Sequence, residues 1–350
     1  MATAFLLNRL PAKPYTVSVG MAITSSWAKR EAAKLTGEGV SCICLANLRI
    51  PSEIAPEFGQ HMSTPSTIST SVQFEGRTIA LATKHGKEQV IIPLLQEALG
   101  IKDYLIPAVD TDQLGTFSGE VERKGTPLEV LRQKCKLAYD LTGCPLVIAS
   151  EGSFGPHPSL YFIPADDEWL LLKDYLNNIE ISARELSTET NFTAGTFQTF
   201  DQVLEFATQA KFPLHALIIR AGEKDFSAIK KGIQSTDELK QAVEHCVSLH
   251  GQVHVETDMR AHLNPTRMQV IRKAAEKLVK KARTRCPSCQ FPGFDTVAIG
   301  EGLPCGSCGT PTHSILYKVE GCTHCGHFNY HYHPSGKKTE DPQFCPRCNP

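Results

Sequence analysis

Residues 126–158 read TPLEVLRQKCKLAYDLTGCPLVIASEGSFGPHP, a helix followed at once by a buried strand. Thr126 stands at the N-cap, Pro127 at N1 and Glu129 at N3, a capping box that starts a helix over 126–141. Leu146–Ser150 is apolar up to its last residue, the composition of a strand covered on both faces. A helix feeding such a strand is the building unit of an α/β sheet.

The alternation extends both ways. Upstream, 77–83 reads as a buried strand, 86–99 as a helix that Pro93 bends or opens, and 104–108 as a short strand. Downstream, 168–174 and 179–185 read as two strands joined through Asn177-Asn178, a hairpin turn pair. Helix 199–210, strand 214–220, helix 236–249 and strand 252–256 complete the body. The pattern predicts an α/β domain over 74–263, with a mixed, mostly parallel sheet and an antiparallel hairpin. Asn264 and Pro265 then start a last helix, whose residues Met268, Ile271, Ala275, Leu278 and Ala282 form one apolar stripe.

Residues 1–73 are weakly patterned, with Ser, Thr and Pro clustered over 63–71, and are expected to be a poorly ordered extension. Their first thirty residues hold no acid, a faint transit-peptide composition; an upstream start codon, with Met62 nearer the true beginning, is the blander reading. No apolar run reaches the ~18 residues of a membrane span, and no signal peptide is evident. A cytoplasmic protein without a membrane partner is expected.

The net charge of −1 over 350 residues hides an asymmetry. Residues 74–266 carry 18 Lys and Arg against 27 Asp and Glu. Residues 267–285 carry eight basic residues and one acid, so 264–285 reads as a basic amphipathic linker helix. Residues 286–350 return to four basic and five acidic. A generally basic nucleic-acid binder is excluded; one local basic face, the 267–285 helix, remains a candidate for nucleic acid.

Four cysteine pairs crowd the C-terminus: Cys286/Cys289, Cys305/Cys308, Cys322/Cys325 and Cys345/Cys348. Two sulfurs spaced by two residues grip one ion from a tight turn, and two such knuckles complete a tetrahedron. The intervals fit two consecutive four-cysteine zinc sites, and the spacing does not exclude cross-brace pairing, first with third and second with fourth. Residues 286–350 are thus expected to form a double zinc ribbon with two structural zinc ions. A disulfide framework is the alternative, and nothing in the sequence indicates secretion to support it. His313, His324, His327, His331 and His333 lie nearby as surface residues or substitute ligands. Cys42, Cys44, Cys135, Cys144 and Cys246 lack partners and read as small buried hydrophobes.

A weaker signal lies in the body. Thr83-Lys84-His85-Gly86-Lys87 joins the first strand to a helix, where amides and lysines can hold phosphate; a solvated loop is the alternative. Glu151, leaving the strand 146–150 ahead of Ser153 and His157, is the leading catalytic candidate, because ligands of open α/β sheets gather beyond the carboxyl ends of strands. His157 between two prolines also reads as a rigid turn. Glu129 can hold a divalent cation such as Mg²⁺ or simply complete its capping box. This reading requires Glu151 and the lysine-bearing turn to face one cleft.

These stretches carry a resemblance. From Phe74 to Pro350 the chain resembles an uncharacterised, mainly bacterial family defined as a domain of unknown function. The likeness rests on residues 82–88, 111–117, 149–158, 185–192, 256–260 and 264–268, and on the four cysteine pairs. The order of elements is also distantly similar to the inosine/xanthosine triphosphate pyrophosphatases. That similarity implies phosphate or substrate contacts at Thr83, Lys84, His85, Lys87, Lys134, Ser153 and His157, with Glu129 and Glu151 at a Mg²⁺-dependent centre. Only Glu151 keeps a carboxylate where that family has an acidic pair. A metal-dependent nucleotide pyrophosphatase-like hydrolase, acting on a nucleotide or other phosphate-bearing small molecule, is one expectation. A zinc-ribbon module that binds nucleic acid or protein, on a non-catalytic α/β domain, is the other.

Overall fold

The computed structural model describes residues 74–108, 125–226 and 228–350. The expected extension over 1–73, with Cys42 and Cys44, lies outside the described residues.

The first sheet has five strands in the order β2-β1-β3-β4-β5: β1 Thr78–Ala82, β2 Asp103–Leu105, β3 Leu146–Pro156, β4 Pro164–Asp174 and β5 Ile179–Ser187. Strand β1 runs parallel to β2 and β3, while β3, β4 and β5 form an antiparallel meander. Helices α1 (Glu88–Leu99) and α5 (Pro265–Arg283) cover one face, and Ile79, Leu146, Leu170 and Leu172 meet Ile91, Leu95, Ile271 and Leu278 there. Helix α2 (Pro127–Thr142) covers the other, packing Leu131, Cys135 and Ala138 on Ala80, Val147 and Leu171. The predicted capping box is present: Thr126 Oγ1 accepts from the Glu129 amide, and the Glu129 carboxylate accepts from the Thr126 amide at 2.7 Å. The Asn177-Asn178 hairpin also stands, with Asn178 at φ 52°.

Two features differ from expectation. Residues 74–263 hold two sheets, not one. The second has the order β6-β9-β7-β8: β6 Ala194–Phe197, β7 Leu217–Arg220, β8 Lys230–Ile233 and β9 Val253–Thr257, all neighbours antiparallel. Helices α3 (Phe200–Gln209) and α4 (Thr236–His250) bury one of its faces through Val203, Ala207, Leu239 and Val243. The mixed α/β class therefore holds, but antiparallel pairing dominates. Second, β3 does not end at Ser150. It continues to Pro156, and every residue from Glu151 onward pairs with β4. An eleven-residue β4 supplies partners for the whole run, so Glu151 lies within a ladder and not in a loop beyond a strand end.

The C-terminal module is a three-stranded antiparallel sheet, β10 Asp295–Glu301, β11 Ile315–Gly321 and β12 Phe328–Tyr332. Among the described residues no helix is long and apolar enough to cross a membrane.

Candidate metal centres and the charged core of the body

The topology of the C-terminal sheet decides how the cysteines pair. The first knuckle leads into β10 and the third leaves β11, and Asp295 at the start of β10 pairs with Gly321 at the end of β11. The second knuckle leaves β10 and the fourth follows β12, both at the opposite end, where Tyr317 pairs with Tyr332. Cys286, Cys289, Cys322 and Cys325 therefore converge as one group, and Cys305, Cys308, Cys345 and Cys348 as another. Of the two arrangements the spacing left open, this is the cross-brace.

Within each group the ligand atoms all lie within 4.8 Å of one another. Facing sulfurs stand 3.7 Å (Cys286/Cys325), 3.6 Å (Cys289/Cys322), 3.9 Å (Cys305/Cys348) and 3.6 Å (Cys308/Cys345) apart. A tetrahedron with ~2.3 Å metal–sulfur bonds has edges of about 3.8 Å. Each quartet can hold one metal ion, and an all-thiolate donor set of this size fits Zn²⁺ in a closed site. The knuckles share one turn: the amides of Gln290, Gly309, Gly326 and Asn349 each donate to the carbonyl of the first cysteine of their pair. Gly309 and Gly326 take the left-handed conformation that glycine allows, at φ 71° and 74°, and Gln290 adopts it at φ 61° without glycine's freedom. Cys135, Cys144 and Cys246 are buried, as small hydrophobes would be, and burial pushes the Cys135 thiol up to about 12.

In the body, strand alternation sends Glu151 and Gly152 to opposite faces of β3. Glu151 projects to the α2 face, where its carboxylate pairs with Lys134 Nζ, and Lys134 also donates to the Ser150 carbonyl at 3.2 Å. Gly152 and its cross-strand partner Glu168 lie on the α1/α5 face. Lys87, at the start of α1, points to that face and pairs with Glu168 at 3.4 Å. Lys87 and Glu151 thus take different ion-pair partners, Glu168 and Lys134, although the Glu151 and Lys134 charges still act on Lys87. Thr83 Oγ1 reaches Ser150 Oγ at 3.1 Å. Lys84 and His85 occupy the turn at half-buried positions, His85 stacked on His262 with ring centroids 5.5 Å apart. Ser153 lies on the Glu151 side, opposite Asp167. The His157 ring accepts from the Ser159 and Leu160 amides at 3.2 and 3.1 Å, so it ties the turn between β3 and β4. Glu129 is exposed and held below the usual carboxylate range by the Thr126 amide and then its hydroxyl. Among the described residues, only the two cysteine groups bring three or more potential metal ligands together.

Three charged residues that sequence reasoning overlooked form the centre of the body. Arg267, in the first turn of α5, is fully buried; its Nε donates to Glu168 at 2.6 Å, its Nη1 donates to the Met259 carbonyl, and its guanidinium lies 4.9 Å from the Phe154 ring centroid. Burial acts to raise the Glu168 carboxyl, but Arg267 and then Lys87 outweigh it and hold the group below its ordinary range. Burial lowers Lys87 to about 8, against the pull of Glu168. Asp166, two residues before Glu168 on the same face, is fully buried with neither oxygen hydrogen-bonded; burial, then the Glu168 charge, pushes it up to about 8.

Helix α5 proves far less basic in space than in sequence. Besides Arg267, Arg272 pairs with Glu276 at 3.0 Å, Lys273 with Glu189 at 2.8 Å, Lys281 with Asp295 at 2.7 Å, and Lys277 with Glu185. Such exposed pairs add little stability each, yet together they cancel most of the field a polyanion would sense.

A family model described as a domain of unknown function (DUF6671) matches residues 134–350. The chain belongs to this family. The DUF6671 match begins within α2 and takes in β3 to β12 and both cysteine groups, while β1, α1 and the Thr83–Lys87 turn precede it. The chain matches none of the curated proteins and none of the solved structures it was compared with.

Proposed function

We propose that this DUF6671 protein is a zinc-held protein-recognition module carried on an α/β body. The observation that carries the reading is the outer surface of the C-terminal sheet. Phe328, Tyr330 and Tyr332 lie on one face of β12, opposite Gly321, Val319 and Tyr317 of β11, and all three are more than half exposed. The Tyr317 ring stands 5.8 and 5.4 Å from those of Tyr330 and Tyr332, so the face is a continuous aromatic shelf. A sheet this small has little core and depends on the metal quartet at each end. Large aromatics held rigidly at a surface are characteristic anchors of protein interfaces.

Charge argues for a protein partner over nucleic acid. Residues 286–350 already carry one more acid than base, and every Zn²⁺ held by four thiolates adds two further negative charges. Phosphates are repelled, whereas Arg or Lys side chains of a partner can lie on tyrosine faces. The hydrolase alternative would need carboxylates converging on a cation; Glu151 is bound to Lys134 and Glu129 to its own helix start. Unpaired thiols in metal-sized groups favour a reducing compartment, and a cytoplasmic location is part of the proposal.

The test is a photo-reactive benzoylphenylalanine at position 330, irradiated in the producing cell. The reading expects discrete protein adducts that vanish in a Cys345→Ser background. Nucleic-acid adducts at that position, or adducts unaffected by Cys345→Ser, would refute it.

A further inference from the structure

One face of the second sheet is apolar and buried under α3 and α4; the other is polar and built in rows. Thr196, His254 and Arg220 stand side by side across β6, β9 and β7, and Glu256 occupies the next row beside Ile218. The floor of this face is closed to solvent, with His254 5% and Arg220 6% exposed, while Thr196 and Lys231 form an exposed rim. The turn after β7 folds back so that the Phe226 ring lies 4.7 Å from the Arg220 guanidinium.

One buried donor here lacks an acceptor. Arg220 Nη2 donates to Glu256 at 2.7 Å, but Arg220 Nε is buried with no acceptor. His254 Nδ1 meets Thr196 Oγ1 at 3.0 Å, which fixes the ring and leaves Nε2 directed away from that contact. A buried guanidinium N–H without a partner costs about 1–3 kcal/mol, so such a group normally has an oxygen beside it. Arginine's planar fork matches the paired oxygens of carboxylate and phosphate groups.

We infer that this face binds a small oxyanion, a carboxylate or phosphate group, anchored by Arg220 with Thr196 and His254 beside it. Phe226 stacks on the guanidinium and sets its plane, and Glu256 holds Nη2, so the group is oriented before the ligand arrives. The site is independent of the metal quartets and of the proposed aromatic shelf.

The experiment is a titration of the full chain, followed by the Arg220 Nε–H resonance in ¹⁵N-correlated NMR at constant ionic strength. Sodium phosphate and sodium acetate are the two probes, with sodium chloride as reference. A saturable shift with either oxyanion and none with chloride is expected; the tighter probe distinguishes phosphate from carboxylate chemistry. Thr196→Val, at the exposed rim, should weaken binding several-fold, and Arg220→Lys, which keeps the charge and loses the fork, about tenfold or more. The inference is overturned if neither oxyanion shifts the resonance up to tens of millimolar, which would leave only water beside Nε. Equal shifts with chloride, or unchanged affinity in Thr196→Val, overturn it as well.

Discussion

Replacing Arg267 by methionine tests the charged core directly. Methionine keeps an unbranched apolar stem against Phe154 and leaves intact the backbone amide that donates to Asn264 Oδ1 at 3.0 Å. It removes the 2.6 Å partner of Glu168 and the donor to the Met259 carbonyl. Glu168 is then left with Lys87 at 3.4 Å as its remaining ion-pair partner, at 1% exposure. Breaking a buried pair from one side costs about 3–5 kcal/mol, and the surviving lysine places this case near the lower figure. With a urea slope of about 3 kcal/mol/M for a domain this large, the unfolding midpoint should fall by about 1 M. Trp169, the residue after Glu168 on β4, supplies the fluorescence signal. Glu168→Gln closes a double-mutant cycle, in which a coupling of about 2 kcal/mol or more is expected. A midpoint shift under about 0.3 M, or additivity within about 0.5 kcal/mol, would show that the pair does not hold the body together.

The cross-brace makes an unambiguous prediction for metal content by elemental analysis. Cys286→Ser with Cys305→Ser strikes both quartets and should abolish zinc binding, whereas Cys286→Ser with Cys322→Ser should leave one ion; sequential pairing would reverse the two results. Gly152→Ala would set a methyl group inside contact distance of Glu168 Oε1 and 2.6 Å from Arg267 Nη2. It should cost about 1–3 kcal/mol in the same urea assay, and a neutral result would mean that the pair is not as close as described. Asp166, raised to about 8 in the fold and near 3.9 unfolded, binds a proton between those values that the unfolded chain has released. Its contribution therefore declines as pH rises from about 4 to about 8 and is gone above that. Asp166→Asn should flatten this decline in urea midpoints measured from pH 5 to 8, and an unchanged slope would assign it to other groups.

What was legible in the sequence was local. The Thr126 capping box, the Asn177-Asn178 turn and the cysteine knuckles are short-range chemistry, and each stands in the fold as read. The second sheet was not legible, because β6 and β8 are four-residue strands and Lys230-Lys231-Gly232-Ile233 carries too few apolar residues to signal itself. Nor does periodicity reveal which sheet a strand joins or in which direction it runs. Glu151 was misplaced because Gly152, Gly155 and Pro156 read as a loop, while the partner strand that recruits them lies beyond a turn. Arg267 was hidden in a run of basic residues. A usable signal existed: a cation in the first turn of a helix opposes the helix dipole, so something else must hold it there. Asp166 and Glu168 share the alternation of Leu170 and Leu172, which already assigned both acids to the core face.

Helix α5 explains why a body and a cysteine-rich module belong to one chain. Its first turn delivers Arg267 to Glu168, its middle packs Ile271 and Leu278 on the first sheet, and its end runs into Cys286. Phe291, in the loop closed by the first quartet, packs against the same core, and the Gly293 and Phe294 amides return to the Thr284 carbonyl. The first metal group thus shares apolar contacts with the body, whereas the second lies at the far end of the sheet. Loss of the first ion should loosen the C-terminal half of α5 along with the module, while loss of the second should remain local. Seen this way, the basic residues of the helix serve the fold. Lys273 and Lys277 pair with Glu189 and Glu185 of the body and Lys281 with Asp295 of the module, which accounts for a positive stripe in a chain whose charge elsewhere is acidic.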